Sequence, residues 1–234
     1  MYLNSCYEEN LDKNFSKAVN LCETQHSRKD LFNFLRNGNM PEKQFAALEI
    51  DRISDSDEAE ILVSNLTGCD GKIREAVAFK ISELIKEYKE YFYPYPETFA
   101  NATIDINANI SRMIIESLYS LKGNKEFSKK YLECIKNIMQ TALIKLDSFV
   151  FRDKKYTINK QLFKLYWCLE GLNVFFADIN EAEFAELLIK CSQINEYTIR
   201  EKVALVLKHN VKIPALLELK QNLKSDINYY VKNV

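Results

Sequence analysis

The chain opens with an apolar stripe of period four, formed by Leu3, Tyr7, Leu11, Phe15 and Val19. This spacing places the side chains on one face of an α-helix, so residues 1–25 are predicted to form an N-terminal capping helix. Helical signals continue downstream. Asn37-Gly38 is typical of a helix end, and Pro41 is placed to occupy the first turn of the next helix.

Two helix-start signals of the same kind lie far apart in the chain. Asp57 and Glu60 are spaced as the N-cap and third residue of a helix, and Asn180 and Glu183 repeat this spacing 123 residues later. The segment after Gly71 then has the apolar periodicity of a long helix. The hydrophobic pattern therefore predicts a succession of amphipathic helices joined by short turns.

Internal similarity indicates that these helices are repeated as pairs. The hexapeptide Ile73–Ala78 reappears as Ile199–Ala204, displaced by 126 residues, and Tyr156–Ile158 reappears as Tyr197–Ile199, displaced by 41. Both displacements are close to multiples of about 41 residues. A member in between is predicted near Arg112, with its register off by a few residues. A fixed period of this size is the sequence signature of a helical repeat protein.

A period in the low forties with two helices per repeat resembles the HEAT-repeat family, whose second helix opens with Asp, Ile or Val, Arg and Ala. The best match here is Asp70, Ile73, Arg74 and Ala78. Asn159 replaces the arginine in one repeat and Asn195 is aligned with the aspartate in the last. The resemblance implies an all-α, right-handed α-solenoid of about four to five helix pairs over residues 26–210, with a second capping helix at 211–234.

In the HEAT family the second helices line the concave face. The resemblance therefore implies that the helices beginning near residues 72, 110, 157 and 198 face a common groove.

Composition agrees with helices and excludes other classes. Hydrophobic residues make up 47% of the 234 residues, which excludes wholesale disorder. Only 5 Gly and 4 Pro are present, too few for the turns of a many-stranded β protein. No apolar run approaches the length of a membrane span, and residues 1–15 lack a targeting pattern. We expect the protein to begin at Met1 and to be cytoplasmic, with its six scattered cysteines reduced.

Motifs for catalysis, metals and cofactors are missing from the sequence. The five glycines do not form a phosphate-binding loop. His26 and His209 are the only histidines, and neither has a Cys, Asp or second His at ligand or triad spacing. We therefore expect no cofactor, no metal and no enzymatic activity.

Three arginines are candidates for partner binding because they occupy related places in the predicted second helices: Arg74, Arg112 and Arg200. Arginine is unfavourable at a helix N-terminus, so each needs a compensating interaction. One interpretation is pairing with carboxylates such as Asp70 or Glu75. The other is that a guanidinium group binds a carboxylate of a partner in a bidentate manner.

A dense aromatic segment supplies further partner-binding candidates, namely Tyr91, Phe92, Tyr93 and Tyr95. Aromatic residues beside proline can form an exposed contact surface, or they can fold back and pack on the next repeat. Trp167, the only tryptophan, is interpreted as a residue buried in a helix pair and not as a base-stacking residue.

Charge differs between the two halves of the chain. Residues 1–120 carry 13 Lys and Arg against 20 Asp and Glu, a net charge of -7, and residues 121–234 carry 19 against 13, a net charge of +6. Candidates for anion binding are Lys129, Lys130, Arg152, Lys154 and Lys155, within a basic set that also holds Lys122, Lys125, Lys160 and Lys164. The alternative is that these residues are solvated helix faces.

Two functions follow from these features. The first is a non-enzymatic HEAT-like scaffold that binds a protein or peptide along the groove of second helices. The second is nucleic-acid binding or DNA base excision through the basic second half, because the HEAT-like fold includes DNA glycosylases of similar length. An isoelectric point near 6.2 and a single Trp depart from the basic, aromatic groove expected of such an enzyme.

Overall fold

The computed structural model describes residues 11–68, 70–148 and 155–234, which form thirteen α-helices and three 3-10 turns and contain no β-strand. Side chains are described for residues 16–68, 70–148 and 158–234. The predicted all-α class is confirmed. Helices follow one another with short connections and pack mainly on their neighbours in sequence, as expected of a helical repeat protein.

The chain divides into two units, Met1–Phe92 and Tyr93–Val234. The helices of the first unit are α1 Leu11–Glu23, α2 Arg28–Asn37, α3 Met40–Glu49, α4 Ser56–Ser64 and α5 Gly71–Tyr88, followed by a 3-10 turn at Lys89–Tyr91. Helices α2 and α3 form one antiparallel pair and α4 and α5 form the next. Stacking joins α2 to α4 and α3 to α5, while α1 packs on α3.

The second unit contains four pairs in its described residues. Its helices are α6 Pro96–Thr103, α7 Ala108–Leu118, α8 Lys125–Asp147, α9 Lys155–Val174, α10 Glu181–Ser192, α11 Tyr197–Leu207, α12 Pro214–Leu223 and α13 Tyr229–Lys232, with 3-10 turns at Tyr119–Leu121 and Phe176–Asp178. First helices of the pairs stack in the order α6, α8, α10, α12. Second helices stack in the order α7, α9, α11, α13. We call the latter the second-helix row.

The helix starts are fixed by polar side chains that cap the free N–H groups of the first turn. Ser27 and Asn39 each form a capping box with the residue three positions later. The predicted N-cap at Asp57 is wrong, because the N-cap of α4 lies two residues earlier, at Asp55, whose carboxylate accepts from the N–H of Glu58 at 2.9 Å. The predicted N-cap at Asn180 is correct.

The predicted core positions follow the register of α5 and α11. Val77, Ala78 and Val203 have no exposed surface. Ala204 differs, since it is half-buried and lines a small cavity between α11, α12 and α13. No described helix is long and apolar enough to cross a lipid bilayer.

A buried aromatic cluster holds α8 and α9 of the second unit together. Tyr131 is fully buried, its ring lies 5.2 Å from that of Phe175, and its hydroxyl is 3.0 Å from Thr103 Oγ1. Because the Thr103 hydroxyl donates to the carbonyl of Phe99, the Tyr131 hydroxyl is the donor in this contact. Gly171 on α9 leaves the space that this hydroxyl occupies, as a Cβ there would overlap it.

Candidate partner-binding site

One side of α9 faces outward from the second-helix row. Asn159, Phe163, Tyr166, Glu170 and Asn173 follow one another at spacings of four and three residues and are all at least partly exposed. The opposite side is buried and carries Gln161, Leu165, Cys168 and Leu172. Two opposite faces of this kind are typical of a helix with one side in the core and the other available for contacts.

A cleft of about 460 Å³ lies between α9 and α11 and is lined by Asn159, Leu162, Phe163, Tyr166, Trp167, Glu196 and Thr198. We call it the aromatic cleft. Trp167 has its ring centroid 6.1 Å from that of Phe163 and 5.2 Å from that of Tyr166, in edge-to-face contacts. The volume lies in the range of clefts that accommodate a small ligand or one or two side chains of a peptide.

Trp167 is buried, as predicted, yet it is also part of the cleft wall. Only 8% of the residue is exposed, and its indole N–H has no hydrogen-bond acceptor within the described parts of the chain. A buried tryptophan normally uses its N–H, because leaving such a donor unpaired costs about 1–3 kcal/mol. The indole N–H is therefore a buried donor without an acceptor among the described residues.

The polar edge of the aromatic cleft is formed at the start of α11. Glu196 is the N-cap of this helix, and its Oε1 accepts from the Thr198 N–H at 3.4 Å and from the Thr198 hydroxyl at 3.2 Å. These contacts hold the carboxylate at the α11 side of the cleft. The amide of Asn159 is exposed on the α9 side.

An ion pair fixes α9 against α11 next to the cleft. Lys202 Nζ lies 2.6 Å from Glu170 Oε1 and 4.7 Å from the centre of the Tyr166 ring. Partial burial by itself would lower the pKa of Lys202, but the interactions with Glu170 and Tyr166 outweigh it, so the pKa is raised. Lys202 therefore stays charged and holds the Tyr166 ring in place by a cation–π contact.

A second group of rings lies farther along the second-helix row. Tyr197 on α11 stacks on Tyr230 of α13 at 6.0 Å, and Tyr229 meets Tyr230 edge-to-face at 5.7 Å. Tyr197 is 38% exposed, Tyr229 is 67% exposed and Tyr230 is 61% exposed. The second-helix row thus carries exposed or partly exposed aromatic rings on α9, α11 and α13.

The three candidate arginines differ in the contacts that they make. Arg74 Nη1 donates to the carbonyl of Gly68 at 2.8 Å, and Arg200 Nη1 donates to that of Ile194 at 3.0 Å. Both acceptors lie six residues before the arginine, and both arginines lie four residues after the N-cap. The repeat predicted from sequence is therefore reproduced in side-chain contacts.

In the intermediate repeat the equivalent position is one residue from Arg112. Four residues after the N-cap Asn107 comes Ser111, not Arg112, and the Ser111 hydroxyl donates to the carbonyl of Asp105, again six residues back, at 3.1 Å. Arg112 is exposed, and its Nη1 lies 3.4 Å from Asn109 Oδ1. In the last repeat the counterpart of Asp70 is likewise Glu196 and not Asn195, because Glu196 is the residue that caps α11.

Arg200 makes its hydrogen bonds within the fold of the second unit. Its Nε and Nη2 form a bidentate pair with Asp226 at 2.7 and 3.1 Å, and Nη1 also donates to Asn195 O at 2.9 Å. Hydrogen bonding to Asp226 raises the pKa of Arg200, and the same bond lowers the pKa of Asp226. Both side chains are nearly buried, 13% and 10% exposed. This geometry favours the pairing interpretation for Arg200.

The aromatic segment predicted as a contact surface is largely used for packing. Phe92 is fully buried, so it is a core residue and presents no surface to a partner. Tyr91 donates its hydroxyl to the carbonyl of Ser54 at 3.1 Å. Tyr93 and Tyr95 are half-buried, and Tyr95 precedes α6 at its N-cap position. The candidate aromatic surface is therefore better represented by the rings of α9.

The predicted anion-binding residues are only partly described. Arg152 and Lys154 lie outside the described residues, and Lys155 begins α9 with its side chain outside them. Lys129 and Lys130 are exposed on α8. Lys130 pairs with Glu126 at 2.9 Å, and Lys129 lines a polar cleft in which Lys136 pairs with Glu183 at 2.8 Å. Carboxylates therefore accompany these lysines.

No set of three or more His, Cys, Asp or Glu residues suited to a metal occurs within the described ranges. Burial raises the pKa of Cys168 and raises that of Cys191 to about 12, so both thiols remain protonated and are poor nucleophiles.

Comparison with known proteins gives similarity only at the level of solved structures. No protein-family model matches the chain, and no curated protein matches it. The chain is similar to an engineered protein solved by the Northeast Structural Genomics Consortium, with 13% identity, coverage of 89% of this chain and 93% of that one, and a TM-score of 0.46. It is also similar to a designed armadillo repeat protein, with 14% identity, coverage of 88% and 96%, and a TM-score of 0.47.

Proposed function

We propose that this chain is a HEAT-like repeat scaffold, without catalytic activity of its own, that binds a protein or peptide partner on the second-helix row of its second unit. The observation that carries the proposal is the aromatic cleft. It combines two partly exposed rings, Phe163 and Tyr166, with the buried Trp167 in a cleft of about 460 Å³. Tyr and Trp in well-packed pockets are the residues that dominate protein interfaces.

The cleft is preorganised for contact. The Lys202–Glu170 pair and the buried side of α9 fix the rings before a partner arrives, which reduces the conformational entropy lost on binding. The exposed tyrosines on α11 and α13 extend the apolar surface beyond the cleft. A peptide lying across the second-helix row would contact both groups of rings.

Nucleic-acid binding is the alternative from the sequence. The ion pairs of Lys130 with Glu126 and Lys136 with Glu183 argue against a continuous basic groove on α8, because a carboxylate there repels phosphate. We therefore retain this alternative as an outcome of the experiment.

A random-peptide display library selected on the immobilised chain tests the proposal. We expect enriched peptides whose affinity, measured by fluorescence polarisation, falls about tenfold or more in Phe163→Ala and Tyr166→Ala, as expected of central interface residues. Tyr119→Ala is the control, because Tyr119 is 52% exposed at the end of α7 and away from the cleft. Selection of no peptides, or peptides insensitive to the cleft variants, would refute the proposal. Salt-dependent binding of an oligonucleotide without peptide binding would favour the alternative.

A further inference from the structure

Three lysines of α8 and α9 form a cluster of positive charge. Lys160 and Lys164 lie one helical turn apart on α9, and Lys145 lies in the last turn of α8, the helix that packs along α9. None of the three takes part in an ion pair with the described residues. By contrast, other exposed lysines of this unit pair within their own helix, Lys130 with Glu126 at 2.9 Å and Lys190 with Glu186 at 2.7 Å.

The three ammonium groups repel one another. The pKa of Lys164 is lowered by its partial burial and then by the positive charges of Lys145 and Lys160. Like charges at a spacing of four residues destabilise a helix by a few tenths of a kcal/mol, and partial burial increases the cost. A bound anionic group would relieve this repulsion.

The helical spacing places this positive charge against the rings. Lys160 lies three residues before Phe163, and Lys164 lies three residues before Trp167, so the two lysines border the two rings on adjacent turns of α9. The opposite edge of the cleft carries Glu196. Lys202 on α11 and Glu170 on α9 neutralise each other as an ion pair. The other charges are positive on the α9 side and negative, from Glu196, on the α11 side, with the rings between them.

We infer that the aromatic cleft binds an acidic peptide segment, which places an apolar or aromatic side chain among Phe163, Tyr166 and Trp167 and its carboxylates on Lys145, Lys160 and Lys164. This inference rests on the proposed function and adds the chemistry of the partner. The net charge of +6 for residues 121–234 favours the same class of partner by long-range attraction. The carboxylate of Glu196 sets the direction, because acidic residues of the peptide are repelled from the α11 side.

The test uses three fluorescein-labelled peptides that share a central Phe-Leu pair and differ only in their flanking residues, which are Glu, Lys or Gln. The Glu peptide is expected to bind about tenfold or more tightly than the Lys peptide, with an advantage that shrinks as salt is raised. The double variant Lys160→Gln with Lys164→Gln should weaken the Glu peptide about tenfold and leave the Gln peptide within about twofold. The double variant Lys130→Gln with Lys190→Gln is the control, because both lysines are already paired.

The outcomes separate this inference from the proposed function. Equal or tighter binding of the Lys peptide overturns the acidic partner, while peptides selected by display that still depend on Phe163 leave the scaffold function intact. Failure of the Glu peptide to bind in low salt overturns the inference as well. A thymidine oligonucleotide that displaces the Glu peptide and is insensitive to Phe163→Ala would also overturn it, because phosphate and not a peptide would then be the ligand of the lysines.

Discussion

The pair between Arg200 and Asp226 allows a quantitative prediction for the second unit. Arg200→Gln removes two bonds to Asp226, at 2.7 and 3.1 Å, and two to the carbonyls of Ile194 and Asn195, at 3.0 and 2.9 Å. Removing one partner of a buried ion pair costs about 3–5 kcal/mol. Because Arg200 and Asp226 retain 13% and 10% exposure, we expect a slightly smaller loss of about 2–4 kcal/mol.

Trp167 provides the assay, because it is the only tryptophan in the chain and belongs to the same unit as the pair. Urea unfolding followed by its fluorescence should show a midpoint lowered by about 1 M or more, for an m value of about 2 kcal/mol per molar urea. Arg112→Gln is the matched control, since Arg112 is exposed and has only a 3.4 Å contact with Asn109. We expect it to change stability by less than about 0.5 kcal/mol.

The pH dependence of the pair has a defined sign. Bonding to Arg200 lowers the pKa of Asp226 from its ordinary value of 3.8. The unfolded chain therefore binds the proton more readily, and the stabilisation is fully present above about pH 4 and is lost as the pH falls through the lowered folded-state pKa. The difference between wild type and Arg200→Gln should shrink below about pH 4 for this reason. If Arg200→Gln unfolds at the same urea concentration as Arg112→Gln at neutral pH, the pairing argument is wrong.

Three further predictions concern stability. Gly171→Ala should destabilise the second unit by about 1–3 kcal/mol, because the new methyl group overlaps the buried Tyr131 hydroxyl, and Tyr131→Phe in the same chain should restore part of the loss in urea titrations. Val77 has no exposed surface, so Val77→Asp should lower the free energy of unfolding by several kcal/mol or prevent folding, as followed by circular dichroism. Val77→Ala should lower the free energy of unfolding by only about 1–2 kcal/mol. His209 stacks on Phe176 at 4.5 Å, and its pKa is lowered from 6.5 first by burial and then by the charges of Lys122 and Lys220. The free energy of unfolding should therefore decline as the pH falls below about 6.5. The variant His209→Gln should fold but lose this pH dependence in urea titrations.

The helices themselves were predictable because their signals are local. The predicted second helices near residues 72, 110, 157 and 198 correspond to α5, α7, α9 and α11. Each combines an apolar stripe with a start signal, and both are properties of a few neighbouring residues. The N-cap of α4 was predicted at the wrong aspartate because Asp55 and Asp57 lie only two residues apart. Asp55 is the cap, and Glu58 then reaches Arg28, a residue 30 positions away that no local pattern includes.

The aromatic cleft could not be predicted from the sequence pattern. Apolar residues occupy most positions from 161 to 172 of α9, so periodicity does not distinguish its buried side from its exposed side. The distinction arises when α9 packs between α8 and α11. Phe163 and Tyr166 were missed for this reason. The signal that was available is the polar pair Glu170 and Asn173, which continues the spacing of Phe163 and Tyr166 and marks the outward side.

The repeats differ in length because what recurs is the geometry of the helix start and not the number of residues between starts. The tripeptide Asp-Ile-Asn occurs at 105–107, 178–180 and 226–228, separated by 73 and 48 residues, which a search for one fixed period does not connect. In each case its Asn is the N-cap of the next helix. At Asn107 and Asn228 the backbone N–H also donates to the preceding Asp, at 2.8 Å in both.

The shared cap also explains why Asp226 is available to Arg200. Its Oδ1 accepts from the Asn228 N–H, which holds the loop before α13 in a turn. The turn points the carboxylate toward Arg200 on α11. Asp105 forms the same turn before α7, where its carbonyl accepts from Ser111, which is the counterpart of the Arg200 contact with Ile194. Because these contacts involve only a few residues around each loop, the connecting helices can vary in length while neighbouring pairs still stack.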